Sequence, residues 1–190
     1  MGETYTAQQV VELIKQRYGD RRRYVFLEQV TNATGLVYKQ QIIDALVLCL
    51  YPSDGLSRIA FEVKVSRSDF LHEASNPTKN EHFRRFCHEF YFVAPSSVIK
   101  STDEVPEGMG WFEVQKSRIV LKKKSTHNKQ PDQDDLFLAS LMRAAIKQNE
   151  AELKIQEESF FKTNPRAIVL GNYKTAVEQL LAAHKGYVRG

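Results

Sequence analysis

The chain has 190 residues, 42% hydrophobic and 26% charged, with a formal net charge of +4 and a pI near 9.0. That balance describes one folded domain with room for a terminal extension and excludes a disordered chain. No apolar run approaches the roughly 20 residues of a membrane span, and the first residues lack the basic-then-apolar layout of a signal peptide, so a cytoplasmic protein with no membrane partner is expected. Cys49 and Cys87 are too far apart for a CxxC pair and too few for a zinc cluster; they read as reduced core thiols.

The first element is a helix over residues 6–18, with Thr6 as N-cap and Val10, Val11, Leu13 and Ile14 as its apolar stripe, stopped at Gly19-Asp20. A strand follows over 24–30, then a turn-rich break over 31–35. Residues 41–51 are almost wholly apolar except for Asp44, as expected of a strand buried on both faces. Residues 58–66 alternate strictly, with Ile59, Phe61, Val63 and Val65 on one face and Ala60, Glu62, Lys64 and Ser66 on the other.

Residues 68–88 suit helical segments broken near Asn76-Pro77. Residues 90–94 form a fourth strand, and residues 111–114 and 118–121 a closing hairpin. Residues 125–135 hold no aliphatic residue and read as a linker. Two helical stretches then follow, 135–161 and 173–185, the first an amphipathic helix with one face to bury on the core or on a second copy of the chain. The order αβββαβ predicts an α/β (α+β) domain with a mixed sheet flanked by helices over residues 1–124, a linker over 125–134 and a helical C-terminal extension over 135–190.

The chemistry concentrates in the second and third strands. A carboxylate in an apolar strand must be paired, bound to a metal or neutralised. Asp44 is such a residue, and Glu62 and Lys64, two positions apart, share one face of their strand. A hairpin between the two strands brings Asp44 to that face if the register cooperates. Two carboxylates beside a lysine suit metal-assisted phosphodiester cleavage: hard oxygens hold Mg2+, and an ammonium balances charge developing at phosphorus. The carbonyl of Val63, between Glu62 and Lys64, is a further candidate ligand. A structural salt bridge is the bland alternative.

The runs 41–47, 59–66 and 68–70, continued through Lys79 and residues 86–95 and 105–110, resemble the PD-(D/E)xK nuclease superfamily, and within it the MmcB-related DNA-repair proteins. The resemblance covers about residues 24–124. It implies a restriction-endonuclease-like core that hydrolyses DNA with Mg2+ or Mn2+, and matches Asp44, Glu62 and Lys64 to the superfamily's central acid, second acid and lysine. Ile43 replaces the signature proline. Several members of the superfamily add an acid from the first helix or strand, and here Glu12 and Glu28 compete for that role, with Glu28 narrowly preferred because its strand is expected to neighbour that of Asp44.

Ser66, Lys79, Arg84 and Arg85 are candidate nucleic-acid contacts. Their alternatives are a strand-end serine satisfying backbone, a surface lysine and a solvated helix face. The expected partners are therefore DNA and a divalent cation, with a second copy of the chain as a candidate. The competing functions are a nucleic-acid-binding relative without turnover and a protein-interaction module built on the C-terminal helices.

Overall fold

The structure is a computed structural model and describes residues 4–33 and 41–163. Helix α1 (Ala7–Arg17) begins where the hydroxyl of Thr6 accepts from the Gln9 backbone and the Gln9 side chain accepts from the Thr6 backbone, a reciprocal pair that satisfies two otherwise unpaired donors. Strands β1 (Tyr24–Thr31), β2 (Ile42–Cys49) and β3 (Arg58–Val63) form an antiparallel meander. Helices α2 (Arg67–Ala74) and α3 (Glu81–Phe86) then carry the chain to β4 (Glu89–Pro95), which lies parallel to β3, as a crossover through helices requires. Strand β5 (Gly110–Gln115) is parallel to β4, and β6 (Arg118–Lys123) closes the sheet antiparallel to β5. The six strands stand in chain order across the mixed sheet.

Both faces of the sheet are covered, which is why β3 and β4 are buried along nearly their whole length. On one face Val10, Val11 and Ile14 of α1 pack with Phe26, Ala45, Val47, Phe61 and Val93. On the other, Phe70 of α2 and Phe83 and Phe86 of α3 pack with Leu27, Leu46, Ala60, Phe90, Phe92 and Trp111. Gly110 stands opposite Tyr91 in the β4–β5 pair. A Cβ there would fall 2.3 Å from the Tyr91 ring, so only glycine lets β5 approach so closely. Cys49 and Cys87 are buried free thiols, and burial raises the pKa of both.

Two features differ from the expectation. The third strand ends at Val63 rather than at 66, because the Ser66 hydroxyl accepts from the Asp69 backbone and starts α2 instead. Residues 125–134 are not a free linker. Ser125 Oγ accepts from the Phe90 backbone at 3.1 Å and donates to the Gly108 carbonyl at 3.0 Å, and the backbone N–H groups of Asn128 and Asp132 donate to the carbonyls of His88 and Arg85 at 2.8 and 2.9 Å. Backbone groups and the Ser125 hydroxyl thus tie this polar segment to the ends of α3 and β4.

The chain then enters α4 (Asp135–Thr163), whose first backbone donors are capped by Asp134 and whose Phe137 and Leu141 join the core beside α3. Two compact units result, Met1–Ile146 and Lys147–Gly190, dividing within α4. In the second unit the described residues continue α4, with Leu153 and Ile155 exposed. The helix expected over 173–185 lies outside the described residues. Among the described residues no helix is long and apolar enough to cross a membrane.

Candidate active site

The register of the β2–β3 pair decides whether the acids meet. Ala45 stands opposite Phe61 and Leu46 opposite Ala60, so the next position outward sets Asp44 opposite Glu62. Glu62 shares the α2–α3 face with Ala60. Asp44 is half-buried and closes the end of the pair with its own side chain: Oδ2 accepts from the Val63 N–H at 2.8 Å, and Oδ1 accepts from Gln29 Nε2 of β1 at 3.2 Å. A carboxylate therefore continues the β2–β3 hydrogen bonding at the point where backbone pairing stops.

Glu62, 7% exposed, sits beside Lys64, whose Nζ donates to Glu62 Oε1 at 2.6 Å. The same ammonium lies 2.9 Å from Glu73 Oε2 on α2. Glu73, 2% exposed, also accepts from Lys79 Nζ on Oε2 and from Asn80 Nδ2 on Oε1, the latter at 2.7 Å. The result is a chain of alternating charge, Glu62, Lys64, Glu73 and Lys79, running from the C-terminal end of β3 into the turn before α3. Lys79, about half exposed, is its solvent end.

These positions perturb one another. Burial pushes the Glu62 carboxyl up to about 7, with the neighbouring Asp44 and Glu73 charges adding to the rise and Lys64 working against it. Burial also opposes the charge on Lys64, but the two carboxylates on it outweigh that and hold its pKa above the ordinary lysine value. For Glu73, burial is offset by the hydrogen bonds from Lys79, Asn80 and Lys64, and its pKa falls below the usual glutamate value. Glu73 is thus held ionised while Glu62 is poised near neutrality.

The other sequence candidates are placed as follows. Glu28 does not join the site. It is opposite Ala45, which faces α1, and its partner is Lys15 of α1 at 3.6 Å. The face expected to hold Phe26, Glu28 and Val30 together splits, because Gln29 has a left-handed backbone (φ 50°) that breaks the alternation and sends Val30 to the α2–α3 face. Glu12 is an exposed residue of α1. Ser66 caps α2 and shares a 2.8 Å hydrogen bond with Ser68.

Lys79 reaches the site, but Arg84 and Arg85 do not. At about 1.5 Å per residue, α3 carries them away from Lys79 toward the N-terminal end of β4. There they line a groove of about 600 Å³ with His88, Glu89, Gly108 and Asp132. Arg85 pairs with Asp132 at 2.5 Å, and Arg84 donates to the Glu107 carbonyl at 3.4 Å. Since Glu89 is opposite Ile59 while Phe92 is opposite Glu62, this groove lies toward the other end of the parallel strands.

Sequence reading missed Glu73 and Gln29. Glu73 had a faint signal: three positions after Phe70, it is an acid on the inner side of a short helix. Gln29 had none, since its relevance comes only from the β1–β2 register.

Two carboxylates on adjacent strands fit a hard divalent cation that keeps several waters, because Mg2+ commonly takes only one or two protein carboxylates. Among the described residues no group of three or more His, Cys, Asp or Glu is placed to hold a metal ion, so any cation here would rest on Asp44, Glu62 and backbone oxygen.

No family model and no curated protein matches the chain. A solved structure does: the SPO1766 protein of unknown function from Silicibacter pomeroyi, at a TM-score of 0.56 and 14% identity over 83% of this chain and 94% of that one. At that identity the similarity concerns the fold alone. The class of protein defined is a mixed α/β domain with a six-stranded sheet flanked by helices.

Proposed function

We propose that the chain is a metal-dependent nuclease of the PD-(D/E)xK type that hydrolyses DNA phosphodiester bonds, with a restriction-endonuclease-like core. The observation that carries this reading is the register that sets Asp44 opposite Glu62, with the Val63 N–H on Asp44 and the Lys64 ammonium on Glu62. The element order from α1 through the antiparallel β1–β2–β3 meander and the helical crossover to parallel β4 supports it. Asp44 and Glu62, with the Val63 carbonyl, would hold Mg2+ or Mn2+. That cation would supply charge neutralisation at the scissile phosphate and a more acidic bound water.

The rest falls to the chain's own groups. Lys64 presents a compact ammonium kept protonated by its two carboxylates, suited to balancing negative charge on phosphate oxygens as it develops. Gln29 and the Val63 N–H fix the direction of the Asp44 carboxylate, so that its remaining lone pairs keep one orientation. Glu62 must lose its proton to act as a ligand, which near-neutral titration allows. Lys79, at the solvent end of the charge chain, is the candidate contact to the sugar-phosphate backbone, and DNA repair or processing is the context this chemistry suits.

The test is an assay on single-stranded, nicked and branched DNA with Mg2+ or Mn2+. Cleavage that depends on Asp44 and Lys64 is the expected result, and cleavage unchanged in Asp44→Asn and Lys64→Ala would remove both from the mechanism. A second reading, a nucleic-acid binder without turnover, draws on the lysine already lodged between two buried carboxylates, as in a structural ion pair. It predicts DNA binding that weakens steeply with salt and no cutting with any metal.

A further inference from the structure

Lys64 is shared between two carboxylates of different kinds. Glu62, 2.6 Å from the ammonium, faces Asp44 across the β2–β3 pair and is the acid a divalent cation would need. Glu73, 2.9 Å from the ammonium, belongs to another element and is fixed independently, since Asn80 holds one of its oxygens and Lys79 the other. A cation held between Asp44 and Glu62 would repel the Lys64 ammonium and compete with it for the Glu62 carboxylate. Lys64 has only 12% of its side chain exposed, so it cannot turn to water without leaving the site. A buried ammonium displaced from one carboxylate needs another within reach.

We propose that Glu73 is a positioning residue, the standing anchor to which Lys64 is handed over when a divalent cation occupies the Asp44–Glu62 pair, with Lys79 and Asn80 holding Glu73 in place for that exchange. The inference rests on the metal-dependent reading above and names a residue that reading does not require. Without Glu73, Lys64 has only Glu62 to neutralise it and competes with the cation for that carboxylate. With Glu73, the same lysine stays beside the reacting phosphate and leaves Glu62 available. Lys79 shares Glu73 Oε2 with Lys64, so the exchange also couples the solvent end of the charge chain to the cation site.

The test measures Mn2+ binding to the full chain without DNA, by calorimetry and by the spectroscopic signal of free Mn2+, alongside cleavage. Glu73→Gln is expected to weaken Mn2+ by about ten- to a hundredfold, the range found when a group supporting a metal ligand is lost. Adding Lys64→Met to Glu73→Gln is expected to restore binding to the level of Lys64→Met alone, because the competitor is gone; a merely structural role for Glu73 would show no such rescue. Glu73→Asp keeps the charge and serves if Glu73→Gln melts early, with a smaller loss and the same rescue. Asp44-dependent binding and cleavage in wild type, with Glu73→Gln matching wild type or Lys64→Met giving no rescue, overturns this proposal alone. Absence of Asp44-dependent Mn2+ binding in wild type overturns it together with the metal-dependent reading.

Discussion

Each face of the sheet carries a lysine–glutamate pair, and the two pairs differ in nearly everything but composition. On the α1 face Lys15 and Glu28 lie 3.6 Å apart with side chains 34% and 29% exposed. On the α2–α3 face Lys64 and Glu62 lie 2.6 Å apart with side chains 12% and 9% exposed, and Glu73 adds a second carboxylate to the lysine. The first pair is a solvent-screened contact between a helix and a strand, of little energetic weight. The second has lost most of its water, so each charge there shapes the protonation of the next. A candidate site is recognised by this desolvation and convergence, since residue types alone would have nominated both pairs.

The largest effect that would break the comparison is on cleavage. Asp44→Asn or Lys64→Ala is expected to lower metal-dependent DNA cleavage by about 10²–10³-fold, the usual cost of removing a group that stabilises transition-state charge. Glu28→Gln is expected to leave it unchanged. Equal losses from the two faces, measured as initial rates at saturating metal, would erase the distinction.

Next is stability. Glu73→Ala removes the central carboxylate of a buried ionic cluster and leaves Asn80, 5% exposed, without its acceptor, for a cost of about 3 kcal/mol. Chemical denaturation would read this directly, and a loss comparable to that of Lys15→Ala would argue that the cluster is already well hydrated.

The pH dependence sharpens the contrast further. Because the Glu62 carboxyl is raised in the folded state, from an ordinary value of 4.5 to about 7, its stabilising contribution is present in acid and is lost as pH rises through that interval. Glu62→Gln cannot lose a proton, so its melting temperature relative to wild type is expected to climb between pH 5 and pH 8. The expected scale is about 1.4 kcal/mol per pH unit across the titrating range. Parallel melting curves for the two proteins would show that Glu62 keeps its ordinary value. Glu73, with a lowered carboxyl, acts in the opposite sense: its contribution is present at neutral pH and fades as pH falls below the ordinary glutamate value.

The smallest effect is expected at the exposed pair. Lys15→Ala should change stability by less than about 1 kcal/mol, and by less still at high salt. A larger, salt-insensitive loss would mean that Lys15 stabilises through the packing of its stem on the sheet rather than through its charge.

Much of the site was legible before any coordinates. Strict alternation over residues 58–66 placed Glu62 and Lys64 on one face, and a lone acid in an otherwise apolar strand marked Asp44, because both follow from the two-residue period of a strand. The preference for Glu28 rested on that same period together with strand adjacency. Alternation from Phe26 in fact puts Glu28 on the α1 face, and the left-handed backbone at Gln29 had no signature in the sequence. Arg84 and Arg85 were nominated for lying in the helical segment after β3, yet α3 moves them to the other end of the parallel strands. The polar stretch 125–134 looked like a linker because composition does not distinguish residues that hydrogen-bond to water from residues that hydrogen-bond to the ends of α3 and β4.

What sequence alone determined is local and periodic: which residues share a face of β3, where α1 begins, and that an acid in β2 needs a partner. Tertiary structure decided which partner. The register of β2 on β3 set Asp44 opposite Glu62, and the crossover through α2 brought Glu73 onto Lys64, with Lys79 and Asn80 of the following turn holding Glu73. Neither is written in residue spacing. Both depend on how separate elements pack their apolar faces, and a shift of one residue in that packing would turn every charge of β3 to the other side of the sheet.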